Sequence, residues 1–93
     1  MSRETLIAIL NRLGASLEGD RYRLNEEREL TVFLGQPGRA VAVDHVLSLQ
    51  LSDTHVEVEG RDRGTFFVTY ETVHALLDGR RKERRGSGAG VGF

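Results

Sequence analysis

Residues 40–51, AVAVDHVLSLQL, followed by 55–59, HVEVE, and 65–70, TFFVTY, carry the reading that decides the fold. From Val41 the apolar side chains fall on alternate positions, Val41, Val43, Leu47, Leu49 and Leu51, with Asp44, Ser48 and Gln50 in the other places. That is the period of a strand with one buried face. Twelve residues exceed the usual strand length, and the Asp44-His45 pair interrupts the apolar set. A bend or bulge is expected there, with His45 on the inward face.

The next two strands put Val56 and Val58, then Phe66, Val68 and Tyr70, on their apolar faces. A one-residue slip would turn all of them outward, so the register follows from their sharing one core. Leu51 should face Val56 and Leu49 should face Val58, leaving 52–55, SDTH, as a turn; Val58 should face Phe66 and Val56 should face Val68, leaving 60–64, GRDRG, as the second. Two cross-strand clusters follow, Leu49/Val58/Phe66 and Leu51/Val56/Val68, all six buried together. After Tyr70 the spacing changes: Val73, Leu76 and Leu77 recur at helical steps and Gly79 follows as a stop, so a short C-terminal helix is expected over 71–77.

Working backward, Ser2 is placed to cap a helix whose stripe is Leu6, Ile9, Leu10 and Leu13, widened by Ile7 and ended by Gly14. Residues 15–24 read as a hairpin turned at Gly19-Asp20, with Leu17, Tyr22 and Leu24 available to pack, and 25–29, NEERE, as a polar connection with up to one helical turn. Leu30, Val32 and Leu34 alternate with Thr31 and Phe33 as a strand that turns at Gln36-Pro37-Gly38.

The 93 residues, 39% hydrophobic and 29% charged, suffice for one modest core. Residues 1–79 are expected to form a single β-rich domain and 80–93 a basic, glycine-rich flexible tail. The absence of cysteine excludes disulfides and thiolate sites. No export signal or apolar membrane span is evident, so the expectation is a soluble, cytoplasmic protein.

The expected class is mainly β (α+β): a small antiparallel, strongly bent sheet or barrel with an N-terminal helix, a short C-terminal helix and a disordered tail. The leading helix followed by short strands resembles SH3-like and Sm-like small barrels, whereas a final capping helix is similar to pleckstrin-homology-like folds. The resemblance is one of element order and implies no functional residue.

Chemistry is sparse. His45, His55 and His74 fall in a strand, a turn and a helix respectively, without metal-ligand spacing. Asp44 and His45 point to opposite strand faces and do not support a catalytic pair with Ser48 or Ser52. Glu57 and Glu59 read as solvated charges on the outer side of a sheet. No catalytic residue, metal or cofactor is assigned, and a non-enzymatic protein is expected.

Charge asymmetry stands above this background. The formal charge is −1, but 80–85, RRKERR, holds five positive charges and one negative, so the rest of the chain carries a net −5. The following GSGAGVGF has too little apolar surface to order itself. Two functions follow. The first is an interaction or regulatory module that binds a protein partner, or a second copy of itself, through a sheet face, an edge strand or the N-terminal helix. The alternative is nucleic-acid binding, with Arg80, Arg81, Lys82, Arg84 and Arg85 on phosphates and Arg61 and Arg63 beside them. One continuous basic face would favour nucleic acid; an exposed apolar strip would favour a protein.

Overall fold

A computed structural model describes residues 1–25 and 27–80. Helix α1 (Arg3–Arg12) begins where expected: the Ser2 hydroxyl accepts the Thr5 N–H at 3.1 Å, satisfying one of the free donors of the first turn. Its stripe buries Leu6 and Leu10 completely. Eight strands follow: β1 (Ser16–Glu18), β2 (Arg21–Arg23), β3 (Arg28–Leu34), β4 (Val41–Val43), β5 (Val46–Leu51), β6 (His55–Gly60), β7 (Gly64–Thr69) and β8 (Val73–Arg80). A 3-10 turn, Tyr70–Thr72, separates β7 from β8.

The strands form two antiparallel sheets, a larger one in the order β1-β2-β5-β6-β7 and a smaller one in the order β4-β3-β8. They do not close into a barrel. Residues 41–51 belong to both, because the stretch breaks at Asp44-His45 and its halves enter different sheets. His45 adopts a left-handed φ of +53° there, an uncommon conformation for a residue other than glycine. A strand that bends at such a corner carries its alternation from one sheet to the next. Gly60 sits against the corner: a Cβ on it would lie 3.1 Å from the Val43 side chain, so a larger residue would have to press that side chain back by a few tenths of an ångström.

The predicted registers hold. Leu51 faces Val56, Leu49 faces Val58, Val56 faces Val68 and Val58 faces Phe66. Leu49, Leu51, Val56 and Val58 are buried with Tyr22, Leu30, Val32, Leu34 and Val43. Phe66 and Val68 are only half-buried, because β7 is an edge strand with a neighbour on one side. The β1–β2 hairpin forms as expected, and so does the Pro37 turn, in which Gly38 takes φ +83°.

Four expectations are corrected. Residues 71–77 do not form a helix: 73–80 is a strand paired along the length of β3. A bulge explains the misleading spacing. Leu34 faces Val73 and Phe33 faces Ala75, so His74 is left without an opposite residue, and Val32 then faces Leu76. Val73 and Leu76 reach the same inner face three residues apart, which is the step of a helix produced by an irregular strand. The capping helix expected over 71–77, on which the pleckstrin-homology-like alternative rested, is therefore absent from that segment. Second, a bulge between Val46 and Ser48 buries Val46 in place of Leu47, which is 37% exposed. Third, Leu17 and Val41, on short strands at the sheet edges, are exposed. Fourth, His45 lies half-buried at the corner and not on the inward face of a continuous strand. The 25–29 connection is closed by an Asn25 turn, the Asn25 side chain accepting the Glu27 N–H at 2.8 Å. Of the tail expected over 80–93, Arg80 is the last residue of β8 and 81–93 lie outside the described residues.

Candidate functional site

The two sheets share a core but differ on their outer faces. On the larger sheet, cross-strand register brings Arg21, Gln50, Glu57 and Phe67 into one row and Arg23, Ser48, Glu59 and Thr65 into the next. Arg21 donates to the Ser48 hydroxyl at 2.8 Å and to the Gln50 side chain at 2.7 Å, while Ser48 donates to Glu59 at 2.7 Å. Ser48 is 0% exposed although it points away from the core, because the Arg21 side chain lies over it. Within this polar face Phe67 stands 67% exposed.

The outer face of the smaller sheet is different. Phe33 is flanked by Ala42 on β4 and Ala75 on β8, with Thr31 opposite Leu77 one step further along. Phe33, Ala42 and Ala75 are half-buried and are not among the buried core residues, and Leu77 is 55% exposed. An apolar strip therefore crosses all three strands. β8, the longest strand, forms one edge of this sheet and pairs only with β3 among the described strands. The apolar face of α1 is occupied by the core, so it is not available as a contact.

A second feature gathers at the corner. A groove of about 240 Å³ is lined by Arg23, Arg28 and Arg61, by His45, and by the exposed Leu47. These residues come from the end of β2, the start of β3, the β4–β5 bend and the β6–β7 turn. The Arg61 N–H donates to the His45 carbonyl at 3.0 Å, which ties the turn to the bend. Arg28 is paired with Asp78, whereas Arg23–Glu18 and Arg61–Asp62 are exposed contacts at 3.6 and 3.5 Å. Glu29 also lines the groove.

The structure thus separates the two arginines that sequence placed together. Arg61 enters the groove, whereas Arg63 donates to the Ala42 carbonyl at 3.2 Å and lies over the Phe66 ring at 5.5 Å. Arg80 ends β8 opposite Arg28 in the ladder; Arg81, Lys82, Arg84 and Arg85 lie outside the described residues. Arg23 and Arg28 escaped sequence reasoning because nothing local marks them: their convergence with Arg61 depends on the corner.

A Ser-His-Glu set also escaped it. Ser52 Oγ lies 2.9 Å from His55 Nδ1, and the Glu57 carboxylate lies 3.6 Å from His55 Nε2. A nucleophilic serine must direct its single proton to the imidazole, but Ser52 donates to the His55 carbonyl at 2.9 Å and accepts the His55 N–H at 3.3 Å. Thr54 also contacts Nδ1, at 3.2 Å. The set closes the β5–β6 turn. Tyr70 donates its hydroxyl to the Ser52 carbonyl, and burial raises its phenol above the usual 10.0 against the opposing pull of Arg3. No cluster of three or more His, Asp or Glu side chains is placed to hold a metal among the described residues, and no helix there is long and apolar enough to cross a membrane. Comparison of the chain with protein-family models, with curated proteins and with solved structures finds no match.

Proposed function

We propose that this chain is a non-enzymatic protein-binding module built on an open, SH3/Sm-like small β-fold. The leading helix and the strand bent across two sheets support that likeness of fold. One observation carries the functional reading: the apolar strip of Phe33, Ala42, Ala75 and Leu77 beside the edge of β8. An antiparallel sheet with one solvated face ordinarily makes that face polar, as the larger sheet does. An extended segment of a partner protein that adds to the β8 edge gains backbone hydrogen bonds and lays alternate apolar side chains beside Leu77 and Ala75.

The test compares proteins captured from an extract of the native host by the wild-type chain, Leu77→Lys and Leu17→Lys. Both leucines are exposed, so each substitution should change stability by no more than about 0.5 kcal/mol. The reading requires a captured protein that Leu77→Lys loses and Leu17→Lys retains. Capture that survives Leu77→Lys rejects it.

A further inference from the structure

We infer that the edge of β7 is a self-association site, where a second copy of this chain adds its own β7 antiparallel and joins two of the larger sheets into one. This goes beyond the protein-binding reading and uses the other sheet: β7 ends the larger sheet and pairs only with β6 among the described strands, whereas β8 ends the smaller one. An edge strand presents a row of unpaired N–H and C=O groups, and proteins ordinarily blunt it with shortness, charge or proline. The edge strands β1 and β4 are three residues each. β7 has six residues, GTFFVT, with neither a charge nor a proline. Both of its faces are also incompletely covered. Phe66 and Val68 are half-buried on the inner face, and Phe67, 67% exposed on the outer face, is the most exposed large apolar side chain among the described residues.

The strand's fit to itself identifies the occupant. When a strand pairs antiparallel with its own copy about a two-fold axis, directly opposed residues point to the same face, so the axis passes through a residue. With the axis at Phe67, the two Phe67 rings meet on the outer face, Thr65 faces Thr69, and Phe66 faces Val68 on the inner face. Aromatic pairs, threonine pairs and aromatic–β-branched pairs are all favourable across strands. The same register matches the charges at the ends. Arg63, just before the strand, lies opposite Glu71, just after it; both are exposed, and the two-fold repeats the pair. Moving the axis to Phe66 or Val68 sets Phe67 against a threonine and parts Arg63 from Glu71. Complementarity along the whole strand commits this edge to a second copy of the chain.

The experiment follows the mass of the full chain by sedimentation velocity at roughly micromolar to millimolar concentration, the range suited to a contact as small as one strand pair. Wild type should rise with concentration from the 10.4 kDa of one chain toward twice that mass. Phe67→Lys sets two like charges together on the axis and should weaken the dimer at least about tenfold. Glu71→Arg turns two exposed end pairs repulsive and should weaken it about fivefold. Leu17→Lys on β1 and Leu77→Lys on β8 replace exposed leucines on other edges and should leave the dimer intact. Thermal melts show that each variant remains folded. The chain has no cysteine, so Phe67→Cys introduces a single thiol. Opposed Cα atoms about 4.5–5.5 Å apart lie within a disulfide's reach, so mild oxidation should join two copies there and not in Leu17→Cys. The inference fails if wild type remains a single chain at the highest concentration, or if Phe67→Lys or Glu71→Arg dimerises as well as wild type. It also fails if Leu77→Lys or Leu17→Lys loses the dimer, or if Phe67→Cys cross-links no faster than Leu17→Cys.

Discussion

The outer faces of the two sheets are made from the same alternating strands, yet one is a hydrogen-bonded polar surface and the other an apolar strip. On the larger sheet β2, β5 and β6 contribute polar outward side chains that satisfy one another across the register, Arg21 reaching Ser48 and Gln50 and Ser48 reaching Glu59, with Phe67 of β7 as an exposed apolar side chain among them. On the smaller sheet the outward positions are Ala42, Phe33, Ala75 and Leu77, with Thr31 turned to Asp44 at one end. There Leu77 is exposed and Phe33, Ala42 and Ala75 are half-buried, the grouping on which the proposed contact surface rests. The difference teaches that inward alternation specifies the core, while the choice of outward residues separates a hydrogen-bonded face from an apolar one.

The comparison assumes that the two inner faces form one core, and the largest effect tests that. Leu49→Ala removes a fully buried side chain and should cost about 2–5 kcal/mol in a denaturant melt. Phe66→Ala, on the half-buried edge strand, should cost less. Near-neutral results for both would break the shared core. The next effect sharpens the polar face. Ser48→Ala leaves Arg21 and Glu59 without the buried hydroxyl between them and should cost about 1–2 kcal/mol. Leu77→Lys, on the other outer face, is the matched case with almost no cost, and equal costs for the two would erase the distinction.

A smaller loss than that of Ser48→Ala concerns the joint between the sheets, where Tyr70 bonds to the Ser52 carbonyl and the N-terminal amine donates to the Tyr70 carbonyl at 2.9 Å. Tyr70→Phe should cost about 1 kcal/mol at neutral pH. The folded phenol titrates above the usual 10.0, so its stabilisation is present in full below that value and is lost as pH rises through the raised folded pKa. Melts at pH 8 and pH 11 should therefore show a larger gap between wild type and Tyr70→Phe at pH 8. A gap that grows with pH would remove the phenol's hydrogen bond from the account.

Much of the fold was legible in the sequence, because short-range patterns set it. The period of two in 49–51, 55–60 and 64–69 gave the meander register to the residue, since a slip would expose Val56 and Val58 together. Ser2 and the Leu6/Leu10 spacing specified α1, and the Asp44-His45 interruption marked the corner. Tertiary structure decided what local pattern leaves ambiguous. Val73, Leu76 and Leu77 suit a helix and a bulged strand equally, and the ladder offered by β3 selected the strand because it pairs the backbone along its whole length. A separate bulge, in β5, placed Val46 inside and Leu47 out. The basic groove and the apolar strip belong to this second class: Arg23, Arg28 and Arg61, like Ala42, Phe33 and Ala75, become neighbours only when separate strands pair and the corner forms, a relation between distant residues that no local spacing encodes.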